Sequence, residues 1–342
     1  MIDWFAGYVG YDASQMVLGQ FFEISSAGEL VRHRARWETA RSSWESGVQV
    51  TRGEPTEAML KASREMGFLC AESAVLRVSG NPVKFLQGHN AAGPSVAQLG
   101  SVVQGMVRAF TEGFRPVDAD DERLPSVHRS RVDVTTAVDM GTHRDAHDWI
   151  HLAASAVKSR HSLGPELIGD TVYWGRKSQR WSLKAYCKHC ELKAHQPMAV
   201  ELLADLLEWT RPQLRIELTL RRPELRDRGT LDESIIWEFM QRLEIPTMKA
   251  TGMDLDNLDL PPAGLLALQA WLDGHDLKAL LPTRTRYRYR RLILDQVGVD
   301  ISMSATDQTK AEPNALLGIE ELQRREVIEI PDRIQRSLFG AG

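Results

Sequence analysis

The chain has 342 residues, 43% of them hydrophobic and 26% charged, enough for a sizeable core and for two domains or one large domain with an appendage. A net charge of −4 excludes a protein that coats nucleic acid indiscriminately, yet it leaves room for a DNA enzyme with local basic clusters and metal-holding acids. No apolar run approaches the ~20 residues that span a bilayer, residues 1–6 lack a signal-peptide pattern and three cysteines make no disulfide framework, so a cytoplasmic protein without a membrane partner is expected.

Residues 2–8 suit a first strand, 47–51 a second and 74–79 a third, which the turn signal Gly80-Asn81-Pro82 closes. Val96, Leu99, Val103, Met106, Val107 and Phe110 recur at helical spacing and predict a helix over 95–110. A polar loop over 115–123 follows. Residues 131–135 read as a strand and 146–157 as a helix. A hairpin pairs 171–174 with 181–192 through the basic turn Gly175-Arg176-Lys177-Ser178-Gln179-Arg180. Val200, Leu203, Leu206 and Leu207 stripe a helix over 198–209, and a strand covers 214–220. Beyond residue 229 the pattern turns helical, at 233–243, 265–272 and 276–280, with a Pro/Gly/Asp-rich break over 253–264. The expected fold is α+β: a mainly antiparallel sheet with flanking helices in residues 1–229, then a smaller helical domain in 230–342.

Three strands share a pattern. Side chains alternate faces along a strand, so Val132 and Val134 oppose Arg131, Asp133 and Thr135. In the same way Leu183, Ala185 and Cys187 oppose Lys184, Tyr186 and Lys188, and Ile216, Leu218 and Leu220 oppose Arg215, Glu217, Thr219 and Arg221. If the strands share a sheet, their polar faces form one surface with two carboxylates, a tyrosine and several cations. Carboxylates hold Mg²⁺ or Mn²⁺, and such cations help a phenol of pKa about 10 become a nucleophile. Solvated salt bridges across a half-exposed sheet explain the alternation as well.

Five segments, in order, decide between these readings. They are Lys84-Phe85-Leu86-Gln87-Gly88-His89-Asn90; Arg131-Val132-Asp133-Val134-Thr135; Thr171-Val172-Tyr173-Trp174 with Ala185-Tyr186-Cys187-Lys188-His189-Cys190-Glu191-Leu192; Leu214-Arg215-Ile216-Glu217; and Tyr287-Arg288-Tyr289-Arg290-Arg291-Leu292. Together they resemble the phage/plasmid II/X replication family, that of the filamentous-phage gene II replication initiators. The resemblance implies a rolling-circle nickase-like fold. It implies a site-specific endonuclease and strand-transferase that nicks the double-stranded replicative form through a 5′-phosphotyrosine. A 3′-hydroxyl would be left for a host polymerase, with a host helicase as partner in the bacterial cytoplasm, and the displaced single strand would later be rejoined. The family's nucleophile falls on Tyr186. This chain departs from the pattern at Cys187 and Cys190, which replace apolar residues, and in a shorter C-terminal region.

Lys184 and Lys188 are the expected cations beside Tyr186. Asp133 and Glu217 are the preferred metal ligands. Glu191 is either a third ligand or a solvated strand-end acid. His89 either binds metal or phosphate, or makes side-chain-to-backbone bonds in a turn. Cys187 and Cys190 have the spacing of a zinc or redox pair, but a continuous strand would point them to opposite faces, and no second cysteine pair completes a site. Two basic clusters are expected DNA contacts: Arg176, Lys177 and Arg180 on the hairpin turn, and Arg284, Arg286, Arg288, Arg290 and Arg291 interleaved with Tyr287 and Tyr289. The competing functions are a non-catalytic origin-binding relative and a metal-dependent nuclease that uses water.

Overall fold

The computed structural model describes residues 1–11, 13–15, 18–42, 44, 46–66, 74–111, 127–156, 158–159, 165–195, 202–228, 231–245, 258, 260–273, 275–297, 301, 316–327 and 329–335. The expected loop over 115–123, part of the break over 253–264 and the start of the helix over 198–209 lie outside them. The strands are β1 (Ile2–Val9), β2 (Gln20–Ile24), β3 (Leu30–Ala35), β4 (Glu38–Arg41), β5 (Gly47–Gly53), β6 (Val75–Gly80), β7 (Val127–Asp139), β8 (Lys158–Ser159), β9 (Glu166–Ile168), β10 (Thr171–Trp174), β11 (Trp181–Cys187), β12 (Gln213–Arg221) and β13 (Leu243–Glu244). The helices are α1 (Glu57–Met66), α2 (Pro82–Gln87), α3 (Leu99–Phe110), α4 (His143–Ala156), α5 (Lys188–Ala194), α6 (Leu203–Trp209), α7 (Arg222–Asp227), α8 (Ile235–Met240), α9 (Pro262–Leu272), α10 (Leu277–Leu280) and α11 (Thr283–Val297), with further short helices at Ile319–Arg324 and Asp332–Gln335.

Nine strands form one sheet in the order β4-β5-β6-β1-β7-β12-β11-β10-β9, and every neighbouring pair is antiparallel. The expected α+β class holds. The three patterned strands are adjacent, and their register sets Lys184 opposite Glu217, Glu217 opposite Thr135 and Thr219 opposite Asp133. On the other face Val132, Val134, Leu183, Ala185, Ile216, Leu218 and Leu220 are all buried. Helix α4 covers that face at β10 and β11. Its apolar residues Ala146, Trp149, Ile150 and Ala153 fall at i, i+3, i+4 and i+7, one stripe of a helix. Trp149 meets Trp174 of β10 edge to face, with ring centroids 6.4 Å apart. Burying each such side chain stabilises the fold by roughly 1.5–3 kcal/mol, so this contact fixes α4 on the β10–β11 hairpin.

Three expectations are corrected. The strand over 181–192 stops at Cys187, whose side chain caps α5 by accepting from Cys190 N; Lys, Glu, Leu and Ala then favour helix. The segment after Gly80 is a short helix rather than a simple turn. Asn81 caps α2, proline occupies its first turn, and Gly88 ends it at φ 84°. Finally, the main core does not end near residue 230. Helix α8 buries Ile235, Ile236, Trp237, Phe239 and Met240 in that core, and Leu316 and Leu322 return to it, because a helix apolar on nearly all sides cannot remain on the surface. A second, separate core joins Leu260, Leu268, Trp271, Leu277, Tyr289, Ile293 and Ile301. Among the described residues no helix is long and apolar enough to cross a membrane.

Candidate active site

Tyr186 sits one residue from the end of β11 and is 8% exposed. Its hydroxyl points at Glu217 Oε2 at 3.4 Å, longer than a formed O–H···O bond and of the length that tightens when substrate arrives. Lys184 Nζ holds Glu217 Oε1 at 2.9 Å and lies 5.1 Å from the Tyr186 ring centre. Tyr186 and Lys184 border a cavity of about 310 Å³ whose lining also includes Asp3, Asn90, Tyr173, Glu191, Cys187 and Cys190. A larger cleft, about 1000 Å³, runs beside Asp139, Arg144, Glu208 and Arg325, but its lining has neither tyrosine nor lysine. The smaller cavity is therefore the one that holds the tyrosine and lysine expected from the sequence.

Burial, Glu217 and Asp3 together push the Tyr186 phenol well above its ordinary pKa, and Arg215 only partly offsets them. Burial and the Asp3 charge also push Glu217 well up, against Lys184. Burial opposes the charge of Lys184, but the Glu217 carboxylate overcomes it and raises the ammonium pKa. Asp3, which the sequence reading missed, enters through a register shift in β1 between Ile2 and Trp4. Asn81 and Asn90 both donate to its Oδ1, at 3.0 and 2.6 Å. Although burial works against its charge, Lys188, Asn90, Glu217 and Arg215 hold Asp3 below the usual carboxylate range. Ile2 and Phe5 are both fully buried, a change of parity along β1 that goes with this bulge.

Lys188 differs from expectation. It belongs to α5, is fully buried, and donates to Asn90 Oδ1 at 2.9 Å and Glu191 Oε2 at 2.6 Å. Burial and Arg215 lower its pKa. It positions Asn90 and Glu191 rather than flanking the phenol. Asp133 accepts both arms of Arg131, at 2.8 and 2.5 Å. His89 is buried, beside Gln87 Nε2, which donates to His89 O at 3.2 Å and Ala92 O at 2.7 Å. These bonds from Gln87 order the backbone of this segment. Burial, with Lys188 and Arg215, depresses the His89 pKa to about 4. Arg215 Nη2 donates to Ala91 O at 2.5 Å, tying the same segment to β12. Among the described residues, Asp133, Glu217, Glu191 and His89 do not converge as ligand atoms within 4.8 Å; His143, His147, Cys187 and Cys190 do, as do His147, His151 and Asp170.

The basic turn is not at the tyrosine. Tyr186 is five steps along the strand from Trp181, about 17 Å at the rise of an extended chain. Arg180 is engaged by Glu224 at 2.9 Å and Asp227 at 2.5 Å, and Arg176 by Glu166 at 3.3 Å; Lys177 is exposed. In α11, Arg284, Arg288 and Arg291 are exposed and Arg286 and Arg290 half-buried. Tyr287 is 59% exposed, whereas Tyr289 is 4% exposed in the second core. Tyr289 is therefore a core residue and not a DNA contact; the helical phase that exposes Tyr287 turns it inward.

Residues 1–242 match the family described as the N-terminal part of the gene II replication-associated protein. The chain is 27% identical over 326 residues to the gene II replication-associated protein of Enterobacteria phage I2-2, covering 89% of this chain and 88% of that protein. In structure it is similar to a rolling circle replication initiator protein from Geobacillus stearothermophilus, at 11% identity and a TM-score of 0.32, over 74% of this chain and 89% of that one; this likeness is too slight to place any residue. With most of its length matched, the chain belongs to the family of gene II-type replication-associated proteins, the replication initiators that its five segments resemble.

Proposed function

We infer that the chain initiates rolling-circle replication by nicking one DNA strand with Tyr186 and later rejoining it. The observation that carries this reading is the Tyr186 hydroxyl directed at the Glu217 carboxylate, with Lys184 on that carboxylate's other oxygen. Glu217 accepts the phenol proton. The phenol oxygen forms a bond to phosphorus, and the bond from phosphorus to the 3′-oxygen breaks. Because the Glu217 charge is what supports the Lys184 ammonium, protonation of Glu217 frees Lys184 to give a proton to the departing 3′-oxygen. The products are a 5′-phosphotyrosine and a 3′-hydroxyl suited to a host polymerase, with a host helicase opening the duplex. Attack by a 3′-hydroxyl reverses the steps and seals the strand without ATP, since the enzyme linkage retains the phosphoester energy.

Asp3, Asp133 and Glu217 supply oxygen donors of the kind Mg²⁺ and Mn²⁺ take. Asp3 and Asp133 repel the Glu217 charge, but among the described residues the oxygens of Asp3, Asp133, Glu217 and Glu191 do not gather within 4.8 Å of one another, and Arg131 holds both oxygens of Asp133, so these side chains as placed do not make a closed cation site. The exposed stripe of Arg284, Arg288 and Arg291 with Tyr287 is assigned to DNA backbone contact in the smaller helical unit. The test is incubation with an end-labelled origin oligonucleotide and Mg²⁺ or Mn²⁺, followed by denaturing electrophoresis. Strand transfer gives a covalent protein–DNA band. Free ends alone indicate a hydrolase, and intact DNA an origin-binding protein; either outcome refutes the reading.

A further inference from the structure

The geometry points to a structural zinc site made by His143, His147, Cys187 and Cys190, beside the cavity of Tyr186, which Cys187 and Cys190 also line, but using none of the residues assigned to nicking. Local structure brings these residues together. His143 and His147 are four apart on α4, so their rings lie on one face. Cys187 ends β11, and Cys190 is in the first turn of α5. The break between strand and helix turns both thiols to the same point, which a continuous strand would not allow. Both histidine Nε2 atoms meet Cys190 Sγ, at 3.2 Å from His143 and 3.3 Å from His147. Cys187 Sγ closes the fourth side, 3.5 Å from Cys190 N. The four ligand atoms all lie within 4.8 Å of one another.

Those distances suit one metal. Zinc binds thiolate at about 2.3 Å and imidazole at about 2.0–2.1 Å in a tetrahedron, whose edges are then about 3.3–3.8 Å. The two nitrogen–sulfur separations given above, 3.2 and 3.3 Å, lie about 0.3 Å inside the roughly 3.6 Å edge that such bonds set, so a small outward shift of the rings admits the ion. Two soft sulfurs with two imidazoles select zinc over magnesium or calcium. Binding releases two thiol protons to solvent and leaves a neutral centre: a dication balanced by two thiolates and two neutral histidines. With four protein ligands no position remains for water, which marks a structural rather than a catalytic site. A second grouping, His147, His151 and Asp170, competes for His147; its exposed carboxylate is a harder, poorer zinc donor than two thiolates. His189 borders the cluster, its ring edge-on to His143 at 5.2 Å, but its Nδ1 is bonded to Leu207 O at 2.9 Å. The bound ion would pin α4 to the junction of β11 and α5, next to the backbone that carries Tyr186.

The test uses the full chain, purified under reducing conditions and measured for metal by plasma mass spectrometry, with no DNA present. The expected content is one zinc per chain. Cys187→Ser, Cys190→Ser and His143→Ala should each lower it about tenfold or more, while His151→Ala and Asp170→Ala leave it unchanged. Replacing zinc by Co²⁺ should give the visible bands and thiolate charge transfer of a tetrahedral sulfur-bound ion, a readout on folded wild type that does not depend on the variants folding. Removing zinc with a chelator should lower the Tm. Substoichiometric zinc in the wild type, an octahedral Co²⁺ spectrum, a Cys187–Cys190 disulfide in its place, or metal loss in the His151 and Asp170 variants equal to that in the cysteine variants would each overturn the proposal. Because no arm uses nicking, these outcomes are independent of the role of Tyr186.

Discussion

At the scale of single residues, the site is organised around a phenol that does not ionise easily. Burial and two carboxylates hold Tyr186 in its protonated form, so its proton needs an acceptor, and Glu217 is the one it faces. Glu217→Gln keeps the shape but removes the base; nicking should fall about 10²–10⁴-fold, read as the single-turnover cleavage rate. Since the Glu217 pKa is raised, the wild-type rate should climb with pH through that elevated value, and Glu217→Gln should flatten the rise. His89 gives a stability test. Its folded pKa is about 4 against 6.5 in the open chain, so the unfolded state takes up the proton first. Stability is therefore lost as pH falls from about 6.5 to about 4, by at most about 3 kcal/mol. Chemical denaturation of wild type and His89→Gln across that window checks it; an equal loss in both would remove His89 as the cause. The shared sheet face of Tyr186, Lys184, Asp133 and Glu217 was legible from strand parity. Asp3 was not, because its role depends on a bulge and on two asparagines distant in sequence.

At the scale of elements, short helices aim the polar loop at the sheet. Helix α2 has only six residues, too few to persist without its caps. Asn81→Ala removes both the cap bond to Lys84 N and a bond to Asp3, and should cost about 1–2 kcal/mol of unfolding free energy. Gly88→Ala should cost about 1–2 kcal/mol for its left-handed backbone, with more from the Trp44 ring, which a Cβ would meet at 2.9 Å. Urea unfolding midpoints report both. Strand parity along the centre of the sheet was readable because one face is buried without interruption. The end of β11 was not. Alternation continues through Lys188 in the sequence, and only the capped turn at Cys187 shows that Lys188 faces Asn90 rather than the phenol. The same misreading hid the convergence of Cys187 and Cys190, since two histidines from another helix complete the group.

At the scale of the whole molecule, two cores divide the labour. The larger one runs from β1 through α8 and takes back residues 316–322; the smaller is made by α9, α10, α11 and their flanks. A change of periodicity near residue 230 marked the onset of helix but not the change of core, because α8 buries five of its six residues and so shows no polar face to orient it. Leu268→Ala, at a fully buried position of the smaller core, should destabilise that unit by about 2–5 kcal/mol while leaving zinc content unaltered. Replacing Arg284, Arg288 and Arg291 by alanine should weaken DNA binding and flatten its salt dependence by about one unit of slope per lost phosphate contact. Unchanged binding would detach α11 from DNA. The most direct test of the nicking chemistry is to digest the covalent adduct formed with an origin oligonucleotide and locate the nucleotide by peptide mass spectrometry. The expected result is a phosphate link on Tyr186 and no adduct from Tyr186→Phe; a link on Tyr173, or an adduct that survives Tyr186→Phe, would contradict it.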